Sequence, residues 1–282
     1  MAQVNIPRCF TNREIDAMGY LISRLNSSKM ASLFELRNSW YENLNLKYLI
    51  QKLAEHSVLE IVEQGKSIKY RIKPDAEFFF FRIKKKVSVS EEGHRALRIL
   101  NEGISLKNNI SERIMGSILW TEKSYKPKIR IGPAERLKSF NEDESLPIDI
   151  DVIKDKPNNI VFKASFKPPL KAGEAVRFGF YTWTRNHYAK TSKEALERFG
   201  DEWLREGFEV REPTDILTLS VKFLTTILYR EAKLELNPII VTGGPNIIGQ
   251  TQFVFPSGQK VLIAKLHNPP HNRYFISWLT PE

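Results

Sequence analysis

The stretch that most constrains the fold is Leu44 to Ile72, LNLKYLIQKLAEHSVLEIVEQGKSIKYRI, because its hydrophobic period changes midway. Leu46, Leu49, Ile50 and Leu53 stand at i, i+3, i+4 and i+7, which puts apolar side chains on one face of a helix over about Asn45 to His56. After His56 the apolar residues alternate: Leu59 and Ile61, then Ile68, Tyr70 and Ile72. Each run can bury one face of a strand. Gln64-Gly65-Lys66 between them predicts a hairpin tip, since glycine tolerates positive φ.

Upstream, Thr11 and Glu14 have capping-box spacing, so a helix starts there with Ile15, Met18, Ile22 and Leu25 as its stripe. Asn26-Ser27-Ser28 ends it. A shorter helix is predicted over Ser32 to Ser39, facing Leu33, Phe34 and Leu36 inward, with Trp40 and Tyr41 beneath the turn. Three helices and a hairpin in this order resemble a prokaryotic winged helix-turn-helix domain over residues 10–74. The segment LKYLIQKLAEHSVLEIV resembles that family's third helix and the strand leading into its wing, and Tyr70-Arg71-Ile72 resembles the return strand. The resemblance implies that the third helix enters a DNA major groove and that the wing touches the backbone. Carried over by position, Asn45, Lys47, Tyr48, Gln51 and Lys52 would face DNA, with Lys66, Lys69 and Arg71 on the wing. Glu55, Glu60 and Glu63 oppose this, because carboxylates are repelled by phosphate.

The chain has 282 residues, 41% hydrophobic and 27% charged, enough for two domains with real cores. Formal net charge is +10, and residues 1–86 hold 15 Lys or Arg against 9 Asp or Glu. A basic balance favours polyanionic partners. No apolar run approaches a membrane span, and the N-terminus lacks a basic start with an apolar core, so neither a membrane segment nor a signal peptide is expected. Cys9 is the single cysteine, which excludes an internal disulfide and fits a cytoplasmic location.

Residues 78–86, FFFFRIKKK, predict a strand buried on both faces or crossing into the next domain; Arg82 and Lys84-Lys85-Lys86 add phosphate contacts or, the favoured reading, act as solubilising flanks. Ser90 to Leu100 and Ser111 to Trp120 read as helices of a linker or dimerisation segment over 87–125. From Lys126 period-2 runs dominate, separated by Pro, Gly and Asn turns. Many short strands predict an immunoglobulin-like β-sandwich over 126–282, with a helix over Ser192 to Glu206 inserted between strands. The fold class expected is therefore α+β in two domains, with the N-terminal winged helix in residues 1–86.

No catalytic signature is present: no G-x-S-x-G, H-E-x-x-H or C-x-x-C. The glycine loop at Gly243 lacks a phosphate-loop Lys-Ser/Thr. His267 and His271 flank two prolines and cannot converge on a helix. Asp149 and Asp151 share one strand face, most simply the wet one. Within Phe178 to Tyr188, Gly179, Tyr181 and Trp183 share one face and Phe178, Phe180 and Thr182 the other. If the first face is open, Tyr181, Trp183, Arg185, Asn186 and His187 form a recognition surface for a protein, a ligand or a stacked base. The sequence thus suggests a non-enzymatic DNA-binding regulator without cofactor or metal, whose partners are duplex DNA and a protein or second copy. A protein-interaction adaptor is the alternative, and an RNA-binding protein a third reading.

Overall fold

The computed structural model describes residues 10–33, 35–36, 46–64, 67–119, 126–137, 145–156, 158–224, 229–238 and 250–282. The chain begins with α1 (Asn12–Ser28), β1 (Ala31–Ser32), α2 (Leu46–Glu55), β2 (Leu59–Gln64) and β3 (Ser67–Ile72). It continues through β4 (Phe78–Val89), β5 (Arg95–Ser105), β6 (Ile110–Leu119), β7 (Lys128–Leu137), β8 (Ser145–Pro147), β9 (Asp149–Lys156), β10 (Asn159–Leu170) and β11 (Ala175–Thr184). Then come α3 (Ser192–Phe199), β12 (Trp203–Glu209), β13 (Thr214–Phe223), β14 (Glu231–Pro238), β15 (Gln250–Val254), β16 (Val261–His267) and β17 (Asn272–Leu279).

The capping box opens α1: the Glu14 N–H donates to Thr11 Oγ1 at 3.2 Å, and the Thr11 N–H donates to Glu14 Oε2 at 2.7 Å. Its stripe of Ile15, Met18, Ile22 and Leu25 is buried. β2 and β3 pair antiparallel, and β1 pairs with β3. The fold class nonetheless differs from the sequence expectation. Of the second helix expected over 32–39, the described part is strand and turn. The described N-terminal residues hold two helices rather than three, and a short strand completes a three-stranded sheet. Trp40 and Tyr41 lie outside the described residues.

The largest departure is in residues 78–119. The expected linker helices are the strands β5 and β6, and β4 is the third strand of a seven-stranded sheet ordered β16-β13-β4-β5-β11-β7-β8. Within it β4 and β13 run parallel while the neighbouring pairs are antiparallel. A four-stranded sheet (β12-β17-β14-β15) and a three-stranded sheet (β6-β10-β9) complete the β structure. An immunoglobulin-like sandwich confined to residues 126–282 is thus replaced by a mostly β assembly whose central strands come from 78–105. The inserted helix expected over Ser192 to Glu206 stops at Phe199, where Gly200 caps it at φ 71° by donating to the Leu196 carbonyl, and Trp203–Glu209 is instead the strand β12. The reason lies in the side chains: Arg95, Leu97 and Ile99 are buried while Ala96 and Arg98 are exposed, a period of two.

The four phenylalanines of β4 serve two cores. Phe78 and Phe80 belong to the large core between the β-sheets, and Phe79 and Phe81 to the core of α1, α2 and their sheet, which also takes Ile104, Leu106 and Ala172. Phe10 and His56 pack on Phe79 with centroids 6.2 and 5.3 Å away. The large core lines one face of the seven-stranded sheet: Phe180 stacks on Phe162 of the three-stranded sheet at 4.0 Å, and Phe223 meets Trp278 of the four-stranded sheet at 5.8 Å. The smaller core caps one end of the opposite face. No helix among the described residues is long and apolar enough to cross a membrane.

Candidate functional site

The uncapped part of that opposite face is organised by register. Lys86 of β4 lies opposite Arg98 of β5, Arg98 opposite Tyr181 of β11, and Tyr181 opposite Arg130 of β7. One step along the strands, Lys222 of β13 is opposite Ser88, Ala96 opposite Trp183, and Trp183 opposite Lys128. On the other side, Lys265 of the edge strand β16 is opposite Thr218, which is opposite Lys84. Lys86, Arg98, Lys128, Arg130, Lys222 and Lys265 are exposed, and Lys84 is half-buried. Among the described residues, Lys86, Arg130, Lys222 and Lys265 have no carboxylate partner. The cations therefore form a band across six strands, about 24 Å wide at ~4.8 Å per strand.

The band has defined borders. At the end capped by the smaller core, Arg82, Glu102, Arg177 and Glu135 run across four strands with alternating sign. Glu102 binds Arg82 and Arg177, and Arg177 Nη1 reaches Glu135 at 2.9 Å. That row is internally neutralised. At the other end, Glu91 and Glu92 are exposed in the β4–β5 turn.

Two aromatic side chains sit within the band. The Arg98 guanidinium lies over the Tyr181 ring at 5.0 Å. Over Trp183 lie Lys128 Nζ at 5.6 Å and the Arg185 guanidinium at 5.3 Å, and His94 meets it edge-on at 5.4 Å. The alternation predicted for 178–184 is present: Phe178, Phe180 and Thr182 are buried, while Tyr181 and Trp183 are half-exposed.

Of the other residues expected beside them, Arg185 is exposed on the band's rim, whereas Asn186 and His187 belong to a pinned turn. Asn186 takes φ 47°, its N–H donates to His94 Nδ1 at 3.2 Å, and its carbonyl accepts from Arg198 at 2.6 Å. His187 is pushed down to about 3 by burial and then by the positive charge of Arg95.

Behind the band lies a buried ionic cluster that the sequence did not reveal. Glu206 of β12 accepts from Arg95 Nε at 2.8 Å and Nη2 at 2.7 Å, and is bound by Lys85 and the Tyr188 hydroxyl. Lys85 also donates to the Gly207 carbonyl. Burial would raise the Glu206 carboxyl, but Arg95 and Lys85 outweigh it and hold it well below the usual carboxylate range. Burial pushes Lys85 down against the pull of Glu206, and pushes the Tyr188 hydroxyl up. The cluster clamps the four-stranded sheet onto β4 and β5. Only Lys85 carried a trace of it in the sequence: it is the middle lysine of three, on the strand face whose other members are apolar.

The helix and wing expected to meet DNA are different. Asn45 and Lys66 lie outside the described residues. Lys47 is exposed, but Gln51 donates to Glu55 at 3.0 Å and Lys52 pairs with Glu55 at 2.7 Å, lying 5.7 Å over the Tyr48 ring. Arg71 pairs with Glu60 at 2.7 Å, and Lys69 is half-buried opposite Val62. Glu55 and Glu60 neutralise Lys52 and Arg71, and the three-helix winged domain on which the DNA-contacting reading rested is not present among the described residues, which overturns that reading of the function. The end of α2 is instead a seam: the Asn268 side chain donates to the Glu55 carbonyl at 2.9 Å, and His56 Nε2 stands 3.6 Å from Asp215.

His267 and His271 are exposed, and Asp151 accepts from Ser165 at 2.9 Å. The Gly243 loop lies outside the described residues. Among the described residues no three of His, Cys, Asp and Glu converge to hold a metal.

No family model and no curated protein matches the chain. Among solved structures it is similar to a putative protease from Parabacteroides distasonis (11% identity, TM-score 0.46, covering 73% of this chain and 41% of that one). It is also similar to an M1 zinc metallopeptidase from Deinococcus radiodurans (10%, 0.32, 72% and 42%) and to yeast LTA4 hydrolase (10%, 0.31, 72% and 29%). The chain spans less than half the length of each of these proteins.

Proposed function

We propose that this protein is a binding module for a polyanion, which it takes across the exposed face of the seven-stranded sheet. The observation that carries the reading is the row Lys86–Arg98–Tyr181–Arg130 on four adjacent strands, flanked by Lys222, Lys128 and Lys265. Like charges held this closely repel one another, and an anionic ligand relieves that repulsion while releasing its own counterions. Among the described residues, the rows of the band itself carry no carboxylate and those of the neighbouring row are bound to arginine, so the field is not cancelled locally. The rings of Tyr181 and Trp183 lie under guanidinium and ammonium groups, which restricts the cations without neutralising them. The reading is of non-covalent binding and involves no reaction step.

The test is the salt dependence of binding to heparin and to inorganic polyphosphate. Wild type is expected to bind both with log K falling linearly in log salt, by about 0.7–0.9 per anionic group neutralised. Lys86→Glu combined with Arg98→Glu should weaken binding by about 100-fold, whereas Lys47→Glu on the N-terminal helix should change it less than about twofold. Equal losses from both variants, or none from the first, would refute the assignment of the face.

A further inference from the structure

Resting on that reading, we infer that the ligand is a linear chain of phosphate or sulfate groups recognised through its anions alone, with Tyr181 and Trp183 as positioning residues for the cations. Three observations lead here. The first is the shape of the band. Its cations run across the strands, with the neutral Arg82–Glu102–Arg177–Glu135 row on one side and exposed Glu91 and Glu92 on the other. A chain lying across the strands passes between these borders.

The second is the use made of the aromatic rings. Stacking of a base needs a bare π-face. Trp183 has Lys128 at 5.6 Å and Arg185 at 5.3 Å over its ring, and Tyr181 has Arg98 at 5.0 Å. A base stacked on these cation-bearing faces would have to displace the cations that draw in its own phosphate. An anion lacking a ring keeps both contacts, and the indole holds the two cations ready on the band's rim.

The third is the rigidity of the support. Buried Glu206 ties Lys85 of β4 and Arg95 of β5 to β12, directly beneath the strands that present Lys86 and Arg98. The Tyr188 N–H donates to the Gly93 carbonyl at 3.0 Å, which ties the Trp183 turn to the β4–β5 turn. Cation spacing is thus fixed before the ligand arrives, which suits a repeating charge.

The experiment compares wild type with Trp183→Leu and Trp183→Phe on four probes: inorganic polyphosphate, heparin, a single-stranded oligonucleotide, and the same strand made abasic. The inference expects the base-bearing and abasic strands to bind within about threefold of each other, since both carry the same phosphates. Trp183→Leu should weaken all four probes alike, by about tenfold, and Trp183→Phe should recover most of that loss because a phenyl ring still accepts a cation. Preference for polyphosphate over heparin assigns a phosphate chain, and the reverse assigns a sulfated one. A base-bearing strand binding at least about tenfold tighter than its abasic form, with that increment removed by Trp183→Leu, would overturn the inference in favour of base stacking. Binding confined to vesicles of anionic lipid would overturn it too. If no probe binds at about 50 mM salt, the polyanion reading itself fails, a result distinct from either. Should Trp183→Leu not fold, Tyr181→Leu with Arg98 intact makes the same comparison.

Discussion

At the scale of single residues, the least replaceable side chain is Glu206. It neutralises two buried cations at once, so its removal leaves Lys85 and Arg95 uncompensated in a site both burial and charge make hostile. Glu206→Gln is expected to cost about 3–5 kcal/mol in chemical denaturation, and a loss below about 1 kcal/mol would show that water reaches the cluster. The cluster also sets the acid side of the stability curve. Glu206 lies below its ordinary 4.5 in the fold, so its contribution is complete above that value and lost as pH falls beneath it. His187 is lowered from 6.5 to about 3. The unfolded imidazole therefore takes up a proton on acidification that the folded one refuses, and stability falls as pH drops from 6.5 towards 3. Both signs agree. Urea midpoints measured from pH 7 to pH 4 should decline steadily, and His187→Gln should flatten the part between about 6.5 and 5. A wild-type midpoint constant over that range would refute the neutral, buried imidazole.

At the scale of elements, two glycines at positive φ separate close approach from backbone preference. Gly93 turns β4 into β5 at φ 74°, and a Cβ there would stand 2.2 Å from the Tyr188 carbonyl oxygen. Gly200, which ends α3 at φ 71°, has nothing within 4 Å of such a Cβ. Gly200→Ala should therefore cost about 1 kcal/mol, the backbone preference alone, while Gly93→Ala adds a clash and should cost at least about twice that. Thermal melting of the two variants separates the terms, and equal losses would mean that the turn relaxes freely. The same turn explains why the sequence misled. Ser90-Glu91-Glu92 resembles the acidic start of a helix, and a four-residue turn followed by a strand carries similar letters. Only the alternation of Arg95, Leu97 and Ile99 argued for a strand, and a buried arginine hides in such a pattern. β6 was obscured in the same way, because Ile110–Leu119 carries Glu112 and Arg113 amid its apolar residues.

At the scale of the whole molecule, β4 is shared by two cores. Phe79 and Phe81 face α1 and α2, and Phe78 and Phe80 face the sheets. A strand buried on both sides couples what it touches. Phe79→Ala is expected to lose about 3–5 kcal/mol and to lower the transition of the entire chain, so that tryptophan fluorescence and far-UV circular dichroism still coincide. Two separated transitions would show instead that the N-terminal helices melt alone. The smaller core, seated on one end of the sheet's outer face, also leaves the basic band as the part of that face open among the described residues.

The sequence by itself determined the local periods: the capped first helix, the helix and hairpin over residues 46–72, the doubly buried phenylalanine strand, the first half of the helix expected over Ser192 to Glu206, and the two faces of Phe178 to Thr184. Each depends on neighbours a few positions apart, where spacing alone dictates which side chains share a face. The tertiary structure decided everything that needs residues far apart in sequence. It joined β4 to β13 in parallel, brought Glu206 to Lys85 and Arg95, and aligned Lys86, Arg98 and Arg130 with two aromatic rings. Cations on separate strands carry no common signal along the chain. They become one surface only when strand register, which long-range pairing sets, places them side by side.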